Sequence, residues 1–418
     1  MSIAEPTTRD AELADFEQRA RAFLEASLER RGSSTNVDSN SEEPTSGAWS
    51  IDDQKALQIK IHDAGFGAAM TFPKEFGGHG LGEAENIIWK KVSADYKVPV
   101  AYGVSHGMAG PIINLLGTAE QKTKYLPSLW RGETIFAQMF SEPSNGSDVA
   151  GLTTKAEKVD GGWVMNGGKV WTSGAQYCDY AVCLARTNPD VPKHQGITMF
   201  ILNLRDPAVT INPLRVGTGE KPFNQIFIDN LFVPDSDVLG EVDRGWDATV
   251  AMLRFERISI GTSTTKTVGA AAFENLVKEV RASGLQDDPA ARAAIAEAYV
   301  LEQGRDLLAL RMRQEINAGI ELGPRGSIAK ISGAQVSWRL TEILADIKGL
   351  PLVAWEDDGN TEYDYPALTK SMIAAPASWT AGGSIEIQQG IIGDRVLNLE
   401  KDPSVDKGIP FREIRRSR

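Results

Sequence analysis

The sequence predicts an α+β protein: an N-terminal all-α domain over residues 1–135, a middle β-barrel domain over 136–246 and a C-terminal four-helix bundle over 247–418. Three observations predict it. Apolar residues recur at helical spacing through the first 135 residues. From 136 the period drops to two, with Gly, Asn, Asp and Pro between short apolar runs. From 247 the helical period returns, and helices, strands and helices in that order indicate separate layers. A chain of 418 residues is long enough for two or three such domains, each with its own core.

The elements follow in order. Residues 12–31 put Leu13, Phe16, Ala20, Phe23 and Leu24 on one helical face. Residues 32–48 are polar and read as a flexible loop. Helices follow over 51–64 and 82–95, another starts near Met108, and Thr118-Ala119-Glu120-Gln121-Lys122 opens a further one. Strands are expected at 136–140, 153–159, 162–166, 168–172, 178–185, 197–204 and 224–229. Asp160-Gly161-Gly162 and Asn166-Gly167 supply residues that tolerate positive φ, so each is expected to close a hairpin. A single long helix is expected over 247–283, stopped at Gly284; Pro289 opens a second through 318, and others cover 326–348 and 376–396.

Composition removes several classes of function. A net charge of −12 leaves no excess of Lys and Arg to neutralise phosphates, which excludes a nucleic-acid binder. No apolar run approaches a membrane span. The N-terminus MSIAEPTTRDAELADFEQRA is acidic and has neither a signal core nor transit-peptide character, so a cytoplasmic protein is expected. Cys178 and Cys183 stand five apart in an expected strand, hence on opposite faces, which argues against a disulfide or a shared metal. His62, His79, His106 and His194 have no metal-ligand spacing. The basic end, residues 412–418, reads as a solvated tail.

One loop carries chemistry. Ser144-Asn145-Gly146-Ser147-Asp148 is rich in hydroxyls and backbone N–H groups, suited either to the anionic oxygens of a cofactor or to an ordinary surface turn. Around it, SEPSNGSDVAG and then NGGKVWTSG resemble the linked T-E-P-x-x-G-S-D and N-G-x-K-x-W-I-[TS] motifs of the flavin-dependent acyl-CoA dehydrogenases. Phe72-Pro73-Lys74-Glu75-Phe76-Gly77-Gly78-His79-Gly80 is similar to the segment P-x-E-x-G-G-x-G of the same family. The resemblance covers nearly the whole chain and is strongest at 66–257 and 380–396.

What the resemblance implies is specific. Members remove an α-proton from an acyl-CoA thioester and pass the β-hydride to N5 of FAD. Gln138, Phe140 and Ser141 are implied beside the isoalloxazine ring, Ser147 near the pyrophosphate or the CoA phosphates, and Trp171, Thr172 and Ser173 on the opposite side. The family places its catalytic carboxylate at one of two positions. One is the start of the last helix, occupied here by Gly382 in the segment Gly382-Gly383-Ser384-Ile385-Glu386-Ile387-Gln388, so a base there is lacking. The other is on the helix after the β domain, where Arg254-Phe255-Glu256-Arg257 is similar to the E-R pair of the isovaleryl-type and bacterial steroid-side-chain members. Glu256 is the expected base, with Arg257 beside it towards substrate and the Gly382 backbone N–H as donor to the thioester oxygen, where charge develops. Without the family context, Glu256 reads as a surface glutamate between two arginines.

Further implied contacts are Ser384, Glu386 and Gln388 to the cofactor, and Arg292 and Gln303 to the FAD pyrophosphate of a neighbouring subunit. Asp346 stands where a Q-x-x-G-G segment is usual, and its charge repels a pyrophosphate. That departure implies either a different adenine site or a second, non-identical subunit: a homotetramer or an α2β2 heterotetramer. A bulky or branched acyl group, in fatty-acid or steroid degradation, and an electron-transfer flavoprotein as acceptor complete the expectation. The alternatives are a non-catalytic flavin-binding or scaffold subunit and an acyl-CoA oxidase on the same fold. Gly103-Val104-Ser105-His106-Gly107 also matches a hydrolase nucleophile elbow, but no alternating β and α units surround it. Gly78-His79-Gly80-Leu81-Gly82-Glu83 falls one residue short of a dinucleotide fingerprint.

Overall fold

The computed structural model describes residues 8–30, 49–261, 271–350, 365–401, 403 and 406–414. The expected polar loop at 32–48 lies outside them. Five helices come first: α1 (Thr8–Ser27), α2 (Ile51–Asp63), α3 (Glu83–Ser93), α4 (Gly110–Leu116) and α5 (Ala119–Arg131). Phe16, Ala20 and Leu24 of α1 pack with Ile61, Phe66 and Trp89, the apolar face anticipated from spacing. Ser50 caps α2 with Asp53, and Thr118 caps α5 with Gln121. Each box satisfies backbone N–H groups that the first turn leaves without partners.

Seven strands then build one curled sheet: β1 (Phe136–Met139), β2 (Lys155–Val159), β3 (Gly162–Ser173), β4 (Tyr180–Arg186), β5 (Ile197–Asn203), β6 (Val209–Leu214) and β7 (Phe223–Pro234). Their order is β1-β4-β2-β3-β7-β6, with β5 on β4. β4 is buried along almost its whole length because both faces are covered. Val182 and Leu184 join the core that receives the next helix, while Ala181, Cys183 and Ala185 join a core inside the sheet.

The expected turn at Asp160-Gly161 is present, with Val159 paired to Gly162. The turn expected at Asn166-Gly167 is not. β3 runs straight through it, because β7 pairs with both halves. A Cβ on Gly167 would stand 2.5 Å from the Thr154 hydroxyl, so this glycine serves close packing. Strand β6 was not expected from sequence; its alternation is only the short Val209-Thr210-Ile211-Asn212, whose Val209 and Ile211 pack half-buried on the inner core.

The helical period resumes in α6 (Gly245–Gly261), α7 (Phe273–Ala282), α8 (Pro289–Asn317), α9 (Gly326–Lys348), α10 (Tyr365–Ala374), α11 (Ala377–Thr380) and α12 (Ile385–Arg395). α6, through Ala248 and Met252, docks on the sheet core, whereas α7, α8 and α9 share a core of their own. Two expected helices are corrected. The helix 247–283 is not continuous: Ala272 is extended and starts α7 afresh. The helix 376–396 is two pieces, because Gly382 and Gly383 take φ of +65° and +87°, a conformation that breaks a right-handed helix.

The cysteine and C-terminal readings also change. Cys178 precedes β4, so strand alternation does not apply to it; both side chains are buried in the same core, and neither forms a disulfide among the described residues. The basic end is not wholly solvated. Phe411 is buried under the Arg186 guanidinium, 3.8 Å from its ring centroid, and Arg412 pairs with Asp190 at 2.8 Å.

Candidate functional site

The strand ends β1 and β3 form one side of the site. Gln138 is half-buried in β1, Phe140 is buried just beyond it, and Ser141 follows at the surface of the sheet. The Val170 N–H donates to the Ser141 carbonyl at 3.0 Å, tying the two segments together. Between Lys169 and Thr172, β3 carries one residue more than β7. Such a bulge turns a side chain out of the pleat. The residue turned out is Trp171, which adopts φ +61° and is 58% exposed. Its ring meets Phe223 edge-on at 5.9 Å.

Thr172 next to it is buried, and its hydroxyl has no partner among the described residues. Its carbonyl accepts from Asn224 Nδ2 at 3.0 Å, and Ser173 is half-buried at the strand end. An exposed indole at a strained backbone position beside a buried hydroxyl without a partner has the form of a cradle for a flat, polar-edged ring. These residues fit a flavin.

A carboxylate and an ammonium lie behind this surface that sequence reasoning did not single out. Lys169 is 0% exposed and Glu142 2%, with 3.0 Å between Nζ and Oε1. Lys169 also donates to the Phe140 carbonyl at 3.1 Å. Glu142 accepts from the Thr153 N–H and hydroxyl at 2.6 Å each and from the Thr154 N–H at 2.8 Å. Burial pushes the Glu142 carboxyl up, but Lys169 and the threonine donors outweigh it and hold it at about 2. The signal was in the motifs themselves, the Glu of SEP and the Lys of GGKVW. The loop after Glu142 leaves Ser147 exposed, and Asp148 pairs with Lys193 at 3.0 Å.

The helices form the other side. Glu256 is half-buried on α6, and its neighbour Phe255 packs on the core that contains Phe140. Lys330 of α9 donates to the Ser378 carbonyl of α11 at 2.7 Å. Burial lowers the Lys330 ammonium pKa, while the charges of Glu386 and Glu256 oppose that fall. The charges of Glu256 and Glu386 therefore both reach Lys330.

In that loop Gln388, buried, donates to the Gly382 carbonyl at 3.1 Å. The exposed Gly382 N–H has no acceptor among the described residues. Ser384 caps α12 by accepting from the Ile387 N–H. The Glu386 carboxyl sits below its ordinary range because the N-terminal backbone N–H and the Ser384 hydroxyl bond to it.

Comparison with known proteins bears on this arrangement. Residues 10–133, 137–231 and 243–397 match the N-terminal, middle and C-terminal domain models of acyl-CoA dehydrogenase. Acyl-CoA dehydrogenase IpdE1 of Mycobacterium tuberculosis is 30% identical over 84% of this chain and 89% of its own length. The chain belongs to the acyl-CoA dehydrogenase family. Members of this family are FAD-binding oxidoreductases. Acyl-CoA dehydrogenase FadE34 of the same organism is 34% identical over 83% of this chain, which spans 47% of FadE34's length. The Tcur3481-Tcur3483 steroid ACAD has the same fold, with a TM-score of 0.77 at 24% identity over 96% of this chain and all of that one.

Within this acyl-CoA dehydrogenase fold, other expected residues stand apart. Arg292 and Gln303 are exposed on α8, and no hydrogen bond or ion pair links either to β1, β3 or α12 among the described residues. Asp346 is exposed on α9. The Arg257 side chain lies outside the described residues. A groove of about 350 Å³ between α8 and α9, lined by residues such as Val300, Arg305 and Arg339, includes none of the expected site residues.

The elbow-like pentapeptide is structural. Ser105 is wholly buried; its hydroxyl accepts from the Phe136 N–H at 2.7 Å and pins β1. His106 beside it bonds the Leu129 carbonyl, and burial pushes its pKa down to about 4. No group of three or more His, Cys, Asp or Glu suited to a metal occurs among the described residues. None of the described helices is long and apolar enough to cross a membrane.

Proposed function

We propose that this chain is an FAD-dependent acyl-CoA dehydrogenase that introduces an α,β double bond into a bulky or branched acyl-CoA thioester. Glu256 takes the α-proton, and bound FAD supplies the hydride acceptor. The segments 138–141 and 171–173, with Ser147, Ser384, Glu386 and Gln388, hold the flavin. The Gly382 N–H donates to the thioester oxygen, where negative charge accumulates as the proton leaves. A donor fixed before reaction stabilises that charge without reorganisation.

The observation that carries this reading is the charge cluster at Lys330. The charges of Glu256 on α6 and Glu386 at the start of α12 both act on Lys330, which bonds the Ser378 carbonyl of α11 just before Gly382. This supports assigning the base to Glu256 and the N–H donor to Gly382. A carboxylate there acts as a general base worth roughly 10²- to 10⁴-fold in rate. The absent side chain at Gly382 leaves room for substituents near the α- and β-carbons, and the steroid ACAD of the same fold favours a substrate of that bulk. Arg257 is assigned to substrate, and Arg292 and Gln303 to the pyrophosphate of a neighbouring subunit.

Asp346 favours an assembly in which a second, non-identical subunit completes the adenine site, an α2β2 tetramer rather than a homotetramer. An electron-transfer flavoprotein is the assigned acceptor and the cytoplasm the assigned compartment. Purified protein with a flavin spectrum, bleached anaerobically by branched or ring-bearing thioesters faster than by straight C4–C8 ones, is the expected result. Preference for the straight chains would refute the substrate assignment, and absence of flavin would refute the reading as a whole.

A further inference from the structure

We propose that the buried Glu142–Lys169 pair is a positioning device for the flavin, fixing the distance between the two strand ends that flank it. The proposal rests on the FAD reading above.

The pair bonds one flanking segment directly and anchors it to the residues that lead into β2. Lys169 stands two residues before Trp171 and reaches across to the Phe140 carbonyl at 3.1 Å. Glu142 follows Ser141 directly and takes three bonds from Thr153 and Thr154 at the start of β2. The Val170 N–H donates to the Ser141 carbonyl at 3.0 Å, a direct bond between the flanking backbones. The pair supplies the rest of the link. The packing around it leaves no slack, since Gly167 could not accept even a Cβ against Thr154.

Two charges taken this far from water add little net stability. An apolar pair would fill the space as well. What an ion pair adds when the carboxylate's four bonds and two of the ammonium's protons are engaged is a single geometry: displacing either strand end breaks several bonds at once. A site that must meet a rigid ring on two sides needs that uniqueness, because small misplacement of flanking groups is costly in binding and catalysis. Lys169 and Glu142 are positioning residues; neither is assigned a contact with substrate.

The test is titration of FAD into the flavin-stripped full chain, read by flavin fluorescence and visible circular dichroism. Urea unfolding of each stripped protein is measured alongside. Lys169→Met and Glu142→Gln are expected to weaken FAD binding at least 10-fold and to alter the flavin dichroism. The double variant is expected to unfold at higher urea than Lys169→Met yet to keep the weakened FAD binding. A merely structural pair would instead recover both together. FAD affinity within twofold of wild type in the folded single variants, or recovered in the double variant, overturns the proposal. Should the single variants not fold, Thr153→Val removes one bond to Glu142 and is expected to weaken FAD several-fold; unchanged affinity overturns the proposal equally. Wild type that binds no FAD removes the flavin reading itself, a result distinct from the variants behaving as wild type.

Discussion

Lys169 and Lys330 stand on opposite sides of the site, and they are held differently. Lys169 is fully buried with a carboxylate at 3.0 Å whose remaining lone pairs are all taken by Thr153 and Thr154. Lys330 is half-buried, bonds a backbone carbonyl, and meets Glu386 and Glu256 only through their charge. The β side therefore brings its own counter-charge and is fixed by internal bonds. The helical side keeps its carboxylates nearer solvent, Glu256 half-buried and Glu386 exposed. The two charge arrangements should fail differently when broken.

The largest effect is expected on the helical side. Glu256→Gln should lower the turnover of an acyl-CoA by roughly 10²- to 10⁴-fold with FAD binding unchanged, as steady-state kinetics and flavin titration will show. On the β side the loss should be in stability. Lys169→Met leaves Glu142 buried without its ammonium, a change that costs about 3–5 kcal/mol, measurable by urea unfolding.

The same contrast has a pH signature. Glu142 falls from an ordinary 4.5 to about 2 in the fold. A depressed carboxyl stabilises the fold above its unfolded value and loses that contribution as pH drops towards its folded one. Wild type should lose stability between about pH 4.5 and 2, and Glu142→Gln should lack that part of the loss; acid titrations followed by circular dichroism compare the two.

A smaller effect sharpens the comparison. Lys330→Met removes a hydrogen bond worth about 1 kcal/mol and the cation beside Glu256. It should move the acid limb of the kcat/KM profile to higher pH, because a carboxylate without a neighbouring cation takes up its proton more readily. Smallest of all, serine-reactive phosphonates should not label Ser105, which is buried and engaged with Phe136; mass spectrometry of treated protein checks this.

Much of this was legible in the sequence where local chemistry and tertiary packing agree. The face of α1, the helix start at Thr118 and the turn at Asp160-Gly161 need only neighbouring residues to be read. Asn166-Gly167 misled because turn chemistry is local, whereas β7 is about sixty residues away and holds the strand straight. Gly382 was readable as an absent carboxylate, whereas the positive φ of Gly382 and Gly383 that breaks the helix, in a loop bonded by Gln388, was not. Lys330 gave no signal at all. A lysine on a helix is ordinarily solvated, and only the packing of α9 against α6 and α11 brings its charge to the site.

The central claim is that Glu256, and no residue of the closing helix, removes the α-proton. Its most direct test is solvent deuterium incorporation at the α-carbon of a bound thioester, followed by NMR for wild type and Glu256→Gln, both loaded with FAD. The account predicts exchange in wild type and none above background in the variant. Exchange in Glu256→Gln at the wild-type rate would contradict it.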